Sequence, residues 1–145
     1  ISDSAGLAGA QLHGPYDQAD AARIRREGLQ VWRVVRIAEP EDLDTLVDST
    51  RESDAVLVEP LVAHAAGGTG VSLDLAVAHE ARGRLSGHCM VLAGGLTPET
   101  VGAAVALVRP DVADVSSGVE RLPGIKDPDK ITRFLEAVFG HSPIP

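Results

Sequence analysis

The chain has 145 residues and a net charge of −8, and 44% of it is hydrophobic while aromatic residues make up only 3%. Its charges are dispersed, which argues against nucleic acid or an anionic membrane as partner, because both require a basic patch. No apolar run approaches the roughly 20 residues of a membrane span, and the single cysteine, Cys89, excludes an internal disulfide, which fits a reducing, cytoplasmic compartment.

The first part of the chain alternates short apolar runs with amphipathic stretches. Because aromatic residues are scarce, the core must be built from Val, Leu, Ile and Ala, which suits strands covered by helices on both faces. Leu43, Leu46 and Val47 recur at helical spacing after Pro40, a residue favoured in the first turn of a helix. The predicted elements are a strand over residues 8–14, a helix over 17–28, a strand over 31–37, a helix over 40–50 and a strand at Ala55–Pro60.

The same alternation continues after a long loop that contains the motif GGTG. The predicted elements are a helix over residues 72–82, a strand over 89–95, a helix over 97–108, a strand over 112–118 and a helix over 127–139. Five consecutive strand–helix units predict an α/β fold with a parallel sheet and right-handed crossovers, in a single domain over residues 1–145. The sheet is either an open doubly wound sheet or part of a (β/α)₈ barrel, since a complete barrel typically needs about 250 residues.

Glycine-rich and serine-rich loops follow the last two predicted strands. Gly94 and Gly95 end the fourth strand and would let a ligand approach the backbone, with Thr97 as the cap of the next helix. The loop after the fifth strand offers further N–H and hydroxyl donors from Ser116, Ser117 and Gly118. Such loops can simply make tight turns, but two neighbouring ones favour an anion site, and barrels bind phosphate at their last two strands.

Several motifs occur in a recognisable order, namely QLHG, GGTG, VLAGGLTPETV, VRPDVADVSSGVE and PGIKDPDKITRFLEAV. With these motifs the chain resembles the phosphoribosylanthranilate isomerase family of tryptophan biosynthesis, from about Ala8 to Val138. The resemblance implies a (β/α)₈ barrel in which this chain supplies strands four to eight. The chain is then either the C-terminal part of a longer protein or a truncated homologue.

The resemblance implies an aldose–ketose isomerase that catalyses an Amadori rearrangement of a sugar phosphate without a metal or other cofactor. Glu59 stands where the family has the aspartate that acts as its general acid, although it could also be a solvated acid at a strand end. His13 would line the substrate pocket, or else be a packed histidine held by a backbone carbonyl. Further residues are implied to contact the substrate (Gly67, Gly68, Gly70) or its phosphate (Gly94, Gly95, Ser116, Ser117, Gly118).

The resemblance also implies what this stretch does not supply. The family's general base is a cysteine on the first strand, and Cys89 does not replace it because it begins its own strand, roughly 16 Å from the catalytic end. The chain alone is therefore expected to be inactive. Its two outer strands, at residues 8–14 and 112–118, are expected to be covered by self-association or by a further segment, because exposed strand edges recruit partners.

Two other functions stay open. The change from aspartate to Glu59, together with the apolar stretch LVAHAA, is compatible with a diverged barrel enzyme that acts on a different sugar phosphate. The lack of the strand that carries the base is compatible with a non-catalytic module that binds phosphate.

Overall fold

Five parallel strands form the centre of the protein, in a computed structural model that describes residues 6–14, 17–50, 52–61 and 73–140. Every neighbouring pair of strands is parallel, so crossover connections must join them. The strands lie side by side in chain order, as β1 Gly9–Leu12, β2 Gln30–Ile37, β3 Ala55–Pro60, β4 Cys89–Leu92 and β5 Val112–Ala113. This confirms the predicted α/β fold, with β1 and β5 as the two edge strands.

Helices lie between and after the strands. They are α1 Gln18–Arg26, α2 Leu46–Thr50, α3 Leu75–Arg84, α4 Val101–Val108 and α5 Pro128–Phe139. Three of them begin after an aspartate, Asp17, Asp74 or Asp127, whose side chain accepts a backbone N–H of the first turn. Within the described ranges, no helix has the length and apolar character needed to cross a membrane.

The sheet is apolar on both faces because alternate side chains of a strand point in opposite directions. One face packs against the helices, and its buried strand residues are Ile37, Val56, Val58, Met90 and Leu92. The other face carries a second buried cluster of Val34, Ala55, Leu57, Val91 and Ala93, with Trp32 and Cys89 packed against it. By the same alternation, Arg36 and Glu59 lie on this second face, at the carboxyl ends of β2 and β3.

Two aspartates tie the amino ends of the strands to the helices in the same way. Asp54 accepts the Val31 N–H at 2.7 Å and the Arg25 guanidinium at 3.0 Å. Asp111 accepts the Met90 N–H at 2.8 Å and the guanidinium of Arg82 at 2.9 Å. Each aspartate precedes a strand and bonds to the neighbouring strand, so these contacts fix where the strands start.

Several helix boundaries differ from the sequence predictions; the predicted helix over residues 72–82, for example, is α3, Leu75–Arg84, which begins after Asp74. The predicted helix over residues 40–50 consists of a 3₁₀ helix, Pro40–Thr45, followed by the short α2, because the Leu46 N–H bonds to the carbonyl three residues back. Helix α4 starts at Val101 instead of following Thr97 directly, since residues 97–100 form a separate turn. In that turn the Thr97 hydroxyl still accepts the Glu99 N–H, at 3.3 Å.

The predicted fifth strand over residues 112–118 is also wrong beyond Ala113. The Asp114 N–H still bonds to the Leu92 carbonyl at 2.8 Å, but β4 ends there, and its chain turns at Gly94 and Gly95. Without a partner strand, the chain enters a 3₁₀ turn, Ser117–Val119. An antiparallel hairpin that the sequence reading missed follows it, with β6 Glu120–Leu122 and β7 Ile125–Lys126 around a Pro-Gly turn.

Candidate active site

The carboxyl ends of β3, β4 and β5 surround a small cleft that is open to solvent. In a parallel sheet the carboxyl ends of all strands lie at one edge, so residues far apart in sequence meet there. The cleft is lined by residues from all three strand ends, namely Glu59, Ala93, Gly94, Gly95, Leu96, Asp114, Val115, Ser116, Ser117 and Gly118. The structure thus brings together the predicted acid position and both predicted phosphate loops.

The glycines of the two loops have structural reasons of their own beside the predicted approach of a ligand, which stays a prediction. Gly94 and Gly95 have φ values of 92° and 65°, in the left-handed region that favours glycine. A Cβ on Gly94 would collide with the ring of Pro60, and a Cβ on Gly118 would overlap the Leu96 carbonyl. The absent side chains at 94 and 118 therefore let protein segments pack closely, and this packing holds the two loops side by side.

The loop after β5, residues 114–118, is called the second loop, and it brings polar groups to the cleft. Among the residues that the structure describes, the backbone N–H groups of Ser117 and Gly118 donate to no protein acceptor. The Ser116 hydroxyl accepts a hydrogen bond from Lys126 Nζ at 3.3 Å. Ser116, Ser117 and Gly118 all line the cleft, so polar donors of this loop lie where a site for an anion requires them.

Glu59 is not the solvated acid that one interpretation of the sequence allowed. Its side chain is only 12% exposed, and its Oε1 accepts a hydrogen bond from Arg36 Nε at 2.8 Å. Arg36 and Glu59 are paired residues of the β2–β3 register, so the sheet itself places the guanidinium beside the carboxylate. The charged pair is therefore built into the edge of the cleft.

His13 lies next to this pair. Its Nδ1 is 3.5 Å from Arg36 Nη2, and its Nε2 is 3.0 Å from the Gln11 side-chain amide. The guanidinium and the amide nitrogen both only donate, and a neutral imidazole accepts at one nitrogen, so the tautomer of His13 decides which of the two contacts is a hydrogen bond. The ring thus contacts side chains rather than a backbone carbonyl, and it connects the end of β1 with β2 and β3.

Other predicted residues lie elsewhere. Gly67, Gly68 and Gly70 fall outside the described residues. Cys89 begins β4 at the opposite end from the cleft, and burial, followed by the charge of Asp111, raises the pKa of its thiol. This disfavours the thiolate, and the partly buried side chain packs against the second cluster. The described part of the chain holds no group of three or more His, Cys, Asp or Glu side chains suited to a metal ion.

Sequence reasoning missed Arg36 and Lys126. Arg36 could have been found from the alternation Trp32, Val34, Arg36, which puts it on the face of the sheet opposite the helices, at the carboxyl end of its strand. Lys126 gave no such signal, because its contact with Ser116 depends on the hairpin.

Comparisons with known proteins agree with this arrangement. The family model described as "PRAI: N-(5'phosphoribosyl)anthranilate (PRA) isomerase" matches residues 1–137. The N-(5'-phosphoribosyl)anthranilate isomerase of Paracoccus denitrificans (strain Pd 1222) is 43% identical over 129 residues, which cover 86% of this chain and 59% of the relative. The enzyme of that name from Geobacter sp. (strain M21) is 41% identical over 136 residues, covering 92% and 62%.

Solved structures give the same result for the fold. Phosphoribosyl anthranilate isomerase from Thermotoga maritima superimposes with a TM-score of 0.79 at 31% identity, covering 94% of this chain and 64% of that one. A phosphoribosyl anthranilate isomerase in complex with reduced 1-(o-carboxyphenylamino)-1-deoxyribulose 5-phosphate superimposes with a TM-score of 0.75 at 31% identity, covering 94% and 62%. The chain therefore spans about three fifths of the length of the proteins that it matches.

Proposed function

The chain belongs to the N-(5'-phosphoribosyl)anthranilate isomerase family, and we propose that the protein of which it forms all or part catalyses the Amadori rearrangement of N-(5'-phosphoribosyl)anthranilate in tryptophan biosynthesis. The observation that carries this proposal is that Glu59 and the loops after β4 and β5 line the same cleft. A carboxyl group and an anion site in one cleft suit a sugar phosphate whose ring oxygen must be protonated. The ligand of the related complex, a deoxyribulose 5-phosphate derivative, supports the same class of substrate.

The substrate phosphate is proposed to bind between the two loops. Gly94, Gly95, Ser116, Ser117 and Gly118 all line the cleft, and the second loop carries N–H groups without protein acceptors among the described residues. Backbone N–H groups fixed around a concave surface bind phosphate well because they need no reorganisation. The interlocked packing of Gly118 against Leu96 would keep the two sets of donors at a constant separation.

Glu59 is proposed as the general acid. It donates a proton to the ribose ring oxygen, the bond between C1 and that oxygen breaks, and the nitrogen lone pair forms the C1=N bond of a Schiff base. In the reacting state the proton to be transferred is carried by Oε2 of Glu59, because Arg36 donates to Oε1. Removal of the C2 proton then gives an enamine that becomes the aminoketose. His13, beside Arg36, is proposed to line the pocket for the remainder of the substrate.

We also infer that the five strand–helix units correspond to the fourth to eighth units of the relatives' barrel. The motif order, the coverage of about three fifths and the position of the phosphate loops after the last two strands support this correspondence. It places the general base on a unit outside this chain, so the chain alone is expected not to catalyse the reaction.

Complementation tests the proposal. The complete reading frame that contains this chain is expressed in a strain that lacks the isomerase, and growth without tryptophan is measured. We expect growth with the natural gene and no growth with Glu59→Gln. Failure of the natural gene, with the protein present in the soluble fraction, would contradict the assignment.

A second candidate is an isomerase of the same mechanism that acts on a different aminosugar phosphate. The ion pair between Glu59 and Arg36 favours it, because an arginine at the cleft edge can also bind an acidic group of another substrate. A panel of phosphorylated aminosugars, assayed beside phosphoribosylanthranilate, distinguishes the two. Turnover of phosphoribosylanthranilate alone would exclude this candidate.

A further inference from the structure

Lys126 connects the β6–β7 hairpin to the second loop, which follows β5 and contains Ser116. Its ammonium group donates to the Ser116 carbonyl at 2.9 Å, to the Ser116 hydroxyl at 3.3 Å and to Glu120 Oε1 at 2.8 Å. These three bonds use all the donors of the ammonium group. Lys126 therefore does not bind a ligand through a free proton; it holds the backbone and the side chain of Ser116.

The bond to the Ser116 hydroxyl has a chemical consequence. A hydroxyl group has one proton to donate and two lone pairs. Because Lys126 donates to the oxygen, one lone pair of Ser116 Oγ is occupied, and its own proton must point away from the ammonium group. Ser116 lines the cleft, and this proton remains for an acceptor other than Lys126.

We propose that Lys126 is a positioning residue of the anion site, which orients the Ser116 hydroxyl as a donor to a phosphate group. The proposal deepens the phosphate site described under the proposed function and rests on it. A phosphate group fits because it accepts several hydrogen bonds at once.

The hairpin keeps Lys126 in place. Glu120 accepts Lys126 with one carboxylate oxygen and the Gly124 N–H, at 3.1 Å, with the other. The bond to Lys126 and then the bond to Gly124 lower the pKa of Glu120, so its carboxylate stays charged at neutral pH. Lys130 also contacts Glu120, but it donates to the backbone carbonyl at 2.7 Å. Lys130 thus supports the same hairpin through the Glu120 carbonyl rather than through Ser116, and it serves as a matched control.

The test measures the affinity of inorganic phosphate by ³¹P nuclear magnetic resonance, using the protein that the complete gene encodes. We expect Lys126→Met to weaken phosphate binding about tenfold, because the charge-assisted hydrogen bonds that hold Ser116 are lost. Lys126→Arg should retain most of the affinity, and Lys130→Met should stay within about twofold of the natural protein. Thermal unfolding of each variant separates a loss of binding from a loss of fold.

A double-mutant comparison tests whether Lys126 acts through Ser116. If it does, Ser116→Ala in the Lys126→Met background should weaken binding less than it does in the natural protein. Additive effects would overturn the proposed orientation of the hydroxyl group. Equal losses for Lys126→Met and Lys130→Met, or no phosphate binding by the natural protein, would overturn the proposal as a whole.

The failure of the proposed function is recognised separately. Suppose that the natural protein binds phosphate, that Lys126→Met weakens this binding, and that the natural gene does not complement the isomerase-deficient strain. The proposed reaction is then wrong and the role of Lys126 stands. If the strain is complemented but Lys126→Met binds phosphate normally, the reaction stands and the role of Lys126 is wrong.

Discussion

Gly118 packs directly against the backbone carbonyl of Leu96, so that the loop after β5 rests on the loop after β4 with no room for a Cβ between them. This contact joins two segments that sequence reasoning treated as separate donors of N–H groups. It makes their relative position a property of backbone packing rather than of a bound ligand. The first prediction concerns this contact.

Gly118→Ala should separate the two loops and lower the free energy of unfolding by roughly 1–3 kcal/mol, as overpacking does elsewhere. Gly83→Ala is the matched control, because Gly83 lies in helix α3 with nothing within 4 Å of an added Cβ. That change should raise stability by roughly 0.5–1 kcal/mol through helix propensity. Urea unfolding measures both, and a Gly118→Ala protein as stable as the natural one would contradict the contact.

Asp111→Ala should destabilise the sheet because it removes the acceptor of the Met90 N–H together with the partner of Arg82. A loss of about 1–2 kcal/mol is expected, mainly from the backbone donor left without its partner. Asp44→Ala removes a surface ion pair with Arg84 whose aspartate side chain is 74% exposed. This control should cost no more than about 0.5 kcal/mol. Similar losses for the two variants would mean that the backbone bond of Asp111 has no special weight.

Glu59→Gln should lower kcat of the complete protein by roughly 10²–10⁴-fold, the usual contribution of a general acid. The variant keeps the size of the side chain and removes its acidity, so KM should change much less. Steady-state kinetics with phosphoribosylanthranilate measure both constants. Activity within a few-fold of the natural protein would assign the acid to another residue.

Arg36→Met should also lower kcat, because Glu59 would lose the partner that orients its carboxyl group. The loss should exceed that of the control Arg25→Met. This control removes the ion pairs of another arginine, with Glu52 and Asp54, at the other end of the sheet. Arg36→Lys should restore part of the activity, since lysine keeps the charge but not the planar donor geometry. Equal activities of Arg36→Met and Arg25→Met would show that the pair at the cleft has no catalytic role.

The acid stability of the protein should depend on Asp42. Hydrogen bonds from the Ala38 N–H and then from the Glu39 N–H lower the pKa of this carboxyl group below its ordinary value of 3.8. Its contribution to stability is therefore complete above that ordinary value and is lost as the pH falls through the lower value of the folded state. The stability difference between the natural protein and Asp42→Asn should shrink when unfolding is measured at successively lower pH below 3.8. A difference that does not change with pH would contradict the assignment.

Much of the fold could be predicted from local pattern alone. The strand at Ala55–Pro60 was predicted with its observed bounds, and the five parallel units follow from apolar runs that alternate with amphipathic stretches. Such signals are local, because the periodicity of a strand or helix depends on residues only a few positions apart. The order of the strands is not a local property, and local pattern left it open between a doubly wound sheet and part of a barrel; the structure shows the strands in chain order.

The partners of the site residues were decided by tertiary structure. Arg36 and Glu59 are 23 residues apart, and only the register of β2 against β3 places them side by side. Strand β5 ends at Ala113 because its neighbour β4 has ended, and this early end makes room for the hairpin that carries Lys126 to Ser116. The sequence by itself determined which segments would form strands and where their glycines stand. Which side chains meet at the cleft depends on contacts between distant segments, and those contacts exist only once the sheet has assembled.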